Sequence, residues 1–411
     1  MRLSRTQEGQ DWLAQFRPED AAQAARVLDE LLFVPTSAFR RWTASRIVAE
    51  AGRGRIALYA EREFPPKSRF FPHEAPGRVR RAIGTKGPPM IRPRRGSPYI
   101  GSEGVVAQLL SELAKRKDVD LLLTPGPDRL RPMKSRGPTG RLAIVTDVIG
   151  SGTRIRTMLD ALWLTPTVRS WHSHRKVALE VLVFSYAATA AGLESVRAHR
   201  LAPRVIVNRM VPTLRSLAET DDSYPSLARL CGRYDPRRWD EEPGPLGYKE
   251  AGTLLAFGHG CPNTTPRMFW AAGRNWRPLF PSRSAAELDL PVHESDVAAL
   301  GQRLASVNRA SLSDPAILSR FGEDARSALL LLAAISHGLR DPVRLATRTA
   351  IDVPRVEALL EAFAKAGWTD AGNGVTERGL AELRAAGRLA PKGRAIPEDR
   401  VSVYFPTSLR G

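Results

Sequence analysis

Cysteine is almost absent from this chain. Cys231 and Cys261 are the only two in 411 residues, too few for a disulfide framework or a cysteine-rich zinc site, so a reducing cytosol is the expected setting. Long apolar runs are missing as well, and none could span a bilayer. Residues 1–10 are polar and no apolar segment follows them, so no secretory signal is expected. There is no internal repeat. Acid is scarce against base: 43 Asp and Glu face 62 Lys and Arg, a formal charge of +19. Such an excess points to a polyanionic partner through counterion release and long-range attraction. The abundance of Arg and Ala also fits a GC-rich coding sequence, which halves the weight of that argument. What remains is ample for folding: 43% hydrophobic residues, in a length that predicts two or three domains.

The most informative stretch is Leu142-Ala143-Ile144-Val145-Thr146-Asp147-Val148-Ile149-Gly150-Ser151-Gly152-Thr153-Arg154. Its apolar start predicts a buried parallel strand, and Ile155, Met158, Leu159 and Leu162 beyond it have helical spacing. Backbone N–H groups of Ser151, Gly152 and Thr153 at the start of that helix have no intrahelical acceptors and can surround a phosphate. Asp147 is then placed to accept ribose hydroxyls. The stretch resembles the phosphoribosyl-diphosphate (PRPP) motif of type I phosphoribosyltransferases, with Thr146 where that motif has a first acid and Arg154 where it has a last Thr. A Rossmann-like turn without a ligand is the alternative.

Strand and helix alternate around it. Helices are predicted over 19–32 and 37–51, a strand over 55–59, and a Pro-, Gly- and Arg-rich loop over 65–98. Ser102 reads as the N-cap of a helix carrying Val105, Val106, Leu109, Leu110 and Leu113. Strands follow at 120–124, 177–186, 204–210 and 253–257, with a polar loop at 130–140 holding Arg131, Lys134 and Arg136. The economical fold is α/β, a type I phosphoribosyltransferase-like, mostly parallel sheet with helices on both faces.

The end of the chain follows another pattern. Helices over 325–339, 341–350 and 353–366, an Asn373-Gly374 hairpin signal and a helix over 376–386 make a C-terminal winged helix-turn-helix. The expected domains are an N-terminal helical segment (1–54), a transferase-like domain (55–315), the winged helix (316–390) and a tail (391–411). Tyr404, Phe405 and Leu409 make the tail apolar enough to expect it to dock.

Ala60-Glu61-Arg62-Glu63-Phe64, Gly101-Ser102-Glu103-Gly104, the central stretch, and Gly258-His259-Gly260-Cys261-Pro262-Asn263-Thr264-Thr265-Pro266 with the Trp-Arg-Pro-Leu-Phe-Pro-Ser-Arg that ends at Arg283 together resemble the PRTase-CE family. That family is the phosphoribosyltransferase-like domain of prokaryotic conflict systems, several of them retrons. The resemblance implies that Asp147 holds the ribose and that Arg62 meets the pyrophosphate. It places the 5′-phosphate at Ile149, Gly150, Ser151, Gly152, Thr153 and Arg154, with Ser102 adding a hydroxyl and Lys134 and Arg136 on a closing loop. Asn263, Trp270 and Arg283 are expected on the acceptor side. Magnesium is expected alongside PRPP, and no protein metal site. In the winged helix, Arg344, Arg348 and Arg355 are expected on or near phosphates. A reverse transcriptase and its branched RNA–DNA product are the implied partners, and no membrane.

Several of these residues also have plainer readings. Arg62 with Glu61 or Glu63 also reads as a salt-bridged rim, Ser102 as a cap, Asn263 as a turn residue and Trp270 as core. His259 and Cys261 suggest a thiol nucleophile or a metal ligand, but two residues make no metal site. Three functions compete: phosphoribosyl transfer, a catalytically inactive nucleotide-sensing DNA-binding regulator, and a structural subunit that binds a nucleoprotein.

Overall fold

The computed structural model describes residues 2–76, 81–90, 102–130, 140–173, 179–218, 223–237, 242–281, 304, 318–319 and 321–387. Lys134, Arg136, Arg283 and the tail 391–411 lie outside the described residues. The chain divides into two compact units, Arg2–Val292 and His293–Gly411. No helix among the described residues is long and apolar enough to cross a membrane.

The larger unit is built on five parallel strands in the order β3-β2-β4-β5-β6. They are β2 (Ile56–Ala60), β3 (Leu121–Leu123), β4 (Arg141–Ile149), β5 (Glu180–Ala188) and β6 (Arg204–Met210). β2 is buried at every position and β4 at most of them. That pattern requires cover on both faces, as in parallel sheets whose crossovers are helices. On one face Leu58, Ala60, Ala143, Val145, Leu182 and Phe184 pack with Phe39, Ile47, Val106, Leu109 and Leu110. Because β2 leads outward to β3 and the chain then returns to β4 on its other side, the strand order reverses between β2 and β4. In open α/β sheets a crevice forms outside the carboxyl ends of strands at such a reversal.

A second, two-stranded parallel sheet pairs β1 (Leu32–Val34) with β7 (Leu255–Phe257). The helix expected over 19–32 ends earlier, at Pro18–Asp29, because Leu31, Phe33 and Val34 are buried against the later segment. Trp12 stacks on Phe269 at 4.9 Å and packs edge-on to Trp276. The first 54 residues are therefore an integral part of the larger unit rather than a helical segment of their own. Arg267 and Asp235, whose side chains are both fully buried, form an ion pair that anchors the segment after β7.

In the smaller unit, helices Glu323–Ser336, Pro342–Thr349, Val353–Ala366 and Glu377–Gly387 occupy the expected places. Asp341 accepts from the Arg344 N–H at 2.8 Å, and Gly367 closes the third helix in a left-handed conformation. The wing is a short turn bridged between Thr369 and Val375. Asp370 accepts from the N–H groups of Gly372 and Gly374, and these bonds hold its carboxyl below the usual aspartate range.

Candidate functional site

A cavity of about 790 Å³ opens at the carboxyl end of β2 and β4. Its size suits a small ligand bearing several polar groups. Its floor is the chain from Asp147 to Ile155, and Glu61, Glu63, Ser102, Tyr248, His259, Asn263 and Trp270 complete the walls.

The turn after β4 has the form the sequence predicts. Gly152 adopts φ 73°, ψ −5° and leads into the helix Thr153–Leu164. The N–H groups of Ser151 and Gly152 meet no acceptor among the described residues. Thr189, at the start of the helix Ala190–Arg197, donates to the Gly150 carbonyl at 2.6 Å and accepts from the Gly192 N–H at 2.9 Å. A neighbouring helix start thus braces the loop from behind. Gly192 is essential to that fit, since a Cβ there would lie 2.0 Å from the Gly150 oxygen. The Lys249 ammonium reaches the same place, donating to Thr153 Oγ1 at 2.8 Å from a residue held at φ 53°. A non-glycine residue in that region costs free energy, and such positions cluster at ligand clamps.

Asp147 is 6% exposed, and its Oδ1 accepts from the Val148 N–H at 2.8 Å. Its other oxygen accepts from His259 Nε2 at 3.3 Å. His259 is carried by a tight turn after β7, in which Phe257 and Gly260 exchange backbone hydrogen bonds, and its ring stacks on Phe257 at 4.8 Å. Burial pushes the Asp147 carboxyl up, but the His259 hydrogen bond and charge, the Arg154 guanidinium and the Ser102 hydroxyl together hold it below the usual aspartate range. Glu61 goes the other way. Burial raises its carboxyl, and Asp147 and Glu103 add to that, against the opposing pull of Arg154 and Thr146. Two acids in one cavity are thus driven apart, as perturbed carboxyls at ligand sites often are.

Asp147, Ser102, Asn263, Trp270 and the loop from Ile149 to Arg154 all line this one cavity. Trp270 Nε1 donates to the Thr265 carbonyl, and the Arg237 guanidinium lies over its ring at 5.6 Å. Arg154 turns its guanidinium to Glu61 at 3.3 Å and to Glu103, so it serves carboxylates in this structure. Arg62 faces elsewhere: it donates to the Pro89 carbonyl at 2.8 Å and lies over Phe64, while Glu61 and Glu63 on either side line the cavity. That is the alternation of an extended chain.

Sequence reasoning missed Glu61, Glu103, Lys249 and Gly192, and it weighed His259 only as a metal or thiol candidate. An acid just past a strand end is the signal that Glu61 offered; Lys249 lies in an irregular polar stretch and offered none. Cys231 is buried and its thiol is pushed up to about 12, so it is no nucleophile. Among the described residues no group of three or more His, Cys, Asp or Glu side chains is placed to hold a metal ion by itself, and Arg154 pairs with Glu61 and Glu103.

A family model for PRTase-CE matches residues 10–282, about two thirds of the chain. The chain belongs to the PRTase-CE family. A second model, described as wHTH-PRTase associated, matches residues 329–411. No curated protein and no solved structure matches the chain. The PRTase-CE match ends one residue before Arg283 and includes residues 10–54 and the β7 turn that carries His259.

Proposed function

We propose that this PRTase-CE protein is a phosphoribosyltransferase-like effector of a retron or a related anti-phage defence system, acting in the cytoplasm. Its cavity takes a ribose-5-phosphate-containing ligand, PRPP or a nucleotide, and its winged helix meets nucleic acid or nucleoprotein. One observation carries the ligand reading. A buried aspartate and the N–H groups of Ser151 and Gly152, which meet no acceptor among the described residues, share one cavity at the reversal point of a parallel sheet.

In this reading the Ser151, Gly152 and Thr153 amides hold the 5′-phosphate, with Lys249 beside them as a fixed cation. Asp147 accepts the ribose hydroxyls, and its charge opposes the positive charge that grows on the sugar as a glycosidic bond breaks. His259 keeps that carboxylate oriented. Trp270 and Asn263 face the group attached to the sugar. The defence role, with a reverse transcriptase and a branched RNA–DNA molecule as partners, extends the resemblance noted in the sequence; what the two family matches support is a transferase-like domain joined to a winged helix in one chain.

A nucleotide-sensing regulator without turnover is the second reading, favoured by Thr146 at the first acid position and by the engagement of Glu61 and Glu103 with Arg154. Incubating the protein with PRPP, nucleotides and NAD in the presence of magnesium, followed by mass spectrometry, separates the two. A new ribosyl or phosphoribosyl product supports transfer; bound but unaltered ligand supports sensing.

The winged helix gives a prediction of its own. Arg344 and Arg348 are exposed one turn apart on Pro342–Thr349, and Arg355 pairs with Asp324. Binding to duplex DNA or an RNA–DNA hybrid should be steeply salt-dependent. Arg344→Ala and Arg348→Ala are each expected to lower the slope of log affinity against log salt by about 1. Arg355→Ala should lower it less. A slope near zero in the unsubstituted protein would make this unit a protein-docking module.

A further inference from the structure

Asp147 is joined by a second carboxylate at the floor of the cavity. Glu61, one residue beyond β2, is 7% exposed and lines the same walls. The Thr146 hydroxyl donates to Glu61 Oε2 at 2.7 Å and lies 3.4 Å from Asp147 Oδ1. The two acids, from adjacent strands, therefore converge on a single hydroxyl that has one hydrogen to give. Register puts them there: Ala60 pairs with Val145, and the Glu61 N–H donates to the Val145 carbonyl at 2.8 Å, so the residues after each partner lie side by side.

Burying a carboxylate is costly unless its lone pairs are used. A carboxylate offers about four acceptor sites. Thr146 takes one of Glu61's, and the Arg154 Nε stands 3.3 Å from the other oxygen. Capacity to accept remains, and it adjoins the aspartate assigned above to the sugar. A sugar whose 5-phosphate sits on the loop presents two adjacent hydroxyls, each with a hydrogen to donate. One carboxylate alone would leave the other acid idle at the floor of the site.

We infer that Glu61 is a second diol-binding carboxylate, so that Glu61 and Asp147 together select 5-phosphorylated sugars with an intact vicinal diol over their 2-deoxy counterparts. The inference rests on the proposed ribose-5-phosphate reading and adds a residue and a selectivity to it. Burial holds the Glu61 carboxyl above the usual glutamate range while His259, Arg154 and Ser102 hold Asp147 below its own. Arg154, between Glu61 and Glu103, neutralises charge from the cavity side.

Titration calorimetry on the full chain tests it, with ribose 5-phosphate, 2-deoxyribose 5-phosphate and inorganic phosphate as probes. The unsubstituted protein is expected to prefer the ribose compound by at least about tenfold, since a site built to accept a hydroxyl rejects the analogue lacking it. Glu61→Gln should weaken ribose 5-phosphate by a similar factor and leave inorganic phosphate unchanged. The double variant Glu61→Gln with Thr146→Asp restores a carboxylate one strand over, with the glutamine amide able to donate to it, and should recover the affinity. A Glu61→Gln protein that binds ribose 5-phosphate as tightly as the parent overturns the inference. Equal affinity of the parent for both sugars, or no recovery in the double variant, also overturns it. Failure of the parent to bind either sugar phosphate instead overturns the reading beneath it.

Discussion

Gly192→Ala is expected to weaken phosphate and ribose 5-phosphate binding by about 100-fold without unfolding the protein. A Cβ at this position would lie 2.0 Å from the Gly150 oxygen and 2.9 Å from Thr189 Oγ1, so the loop or the helix start must move by an ångström or so. The braces lost are the 2.6 Å bond from Thr189 to the Gly150 carbonyl and the 2.9 Å bond from Gly192 to Thr189. Displacement of a binding group by about 1 Å can cost about 100-fold. Gly192 itself is not among the residues lining the cavity. Calorimetry measures the loss, and an unchanged far-ultraviolet circular dichroism spectrum shows that the fold survives. Unaltered affinity would mean that the loop does not depend on the helix behind it.

The second large effect is on stability. Glu50, 7% exposed at the end of the helix Thr36–Ala51, receives Arg141 and Arg204 from β4 and β6, and Glu180 on β5 ties the same two arginines together. Chiefly through the Arg204 hydrogen bond, and against the opposing effect of burial, the Glu50 carboxyl is held at about 2. Its folded value lies below its unfolded one, so its stabilisation is complete above about pH 4.5 and is lost as the pH falls toward 2. At neutral pH the contribution is at most about 3 kcal/mol, because Arg204 and Glu180 are partly solvated. Glu50→Gln is therefore expected to lower the urea midpoint at pH 7 and to flatten the acid side of the stability curve. Parallel curves for the two proteins between pH 2 and pH 5 would show that the network contributes nothing.

Much of this architecture is legible in the residues. Asp341-Pro342, Gly367 and Asn373-Gly374 mark the limits of the winged-helix elements because each suits a cap or a left-handed position; Gly367 and Asn373 have φ of 72° and 59°. The anion loop is legible for the same reason, since Gly152 stands where the chain must turn into a helix at positive φ. The strand expected over 177–186 runs instead over Glu180–Ala188, where small Ala187 and Ala188 keep register with Val148 and Ile149.

What the residues do not disclose depends on pairing between distant segments. His259 reaches Asp147 only because β7 pairs with β1, and β1 is a three-residue strand at the edge of what reads as a helix. Glu61 reaches Thr146 through the β2–β4 register, and a motif confined to one strand does not report a carboxylate on its neighbour. Arg62, the more conspicuous charge for a phosphate site, is turned away by its place between two residues that face inward. Lys249 depends on an unfavourable backbone conformation that local propensity argues against.

The central claim is that Asp147 and the loop behind it hold a sugar phosphate as a unit. Titration calorimetry with ribose 5-phosphate on the intact protein and on its Asp147→Ala and Asp147→Asn variants tests it most directly. The account predicts saturable one-to-one binding by the parent, a loss of about 100-fold in both variants through removal of a charged hydroxyl acceptor, and inorganic phosphate binding that survives in all three. Equal affinity of parent and variants for ribose 5-phosphate would contradict it.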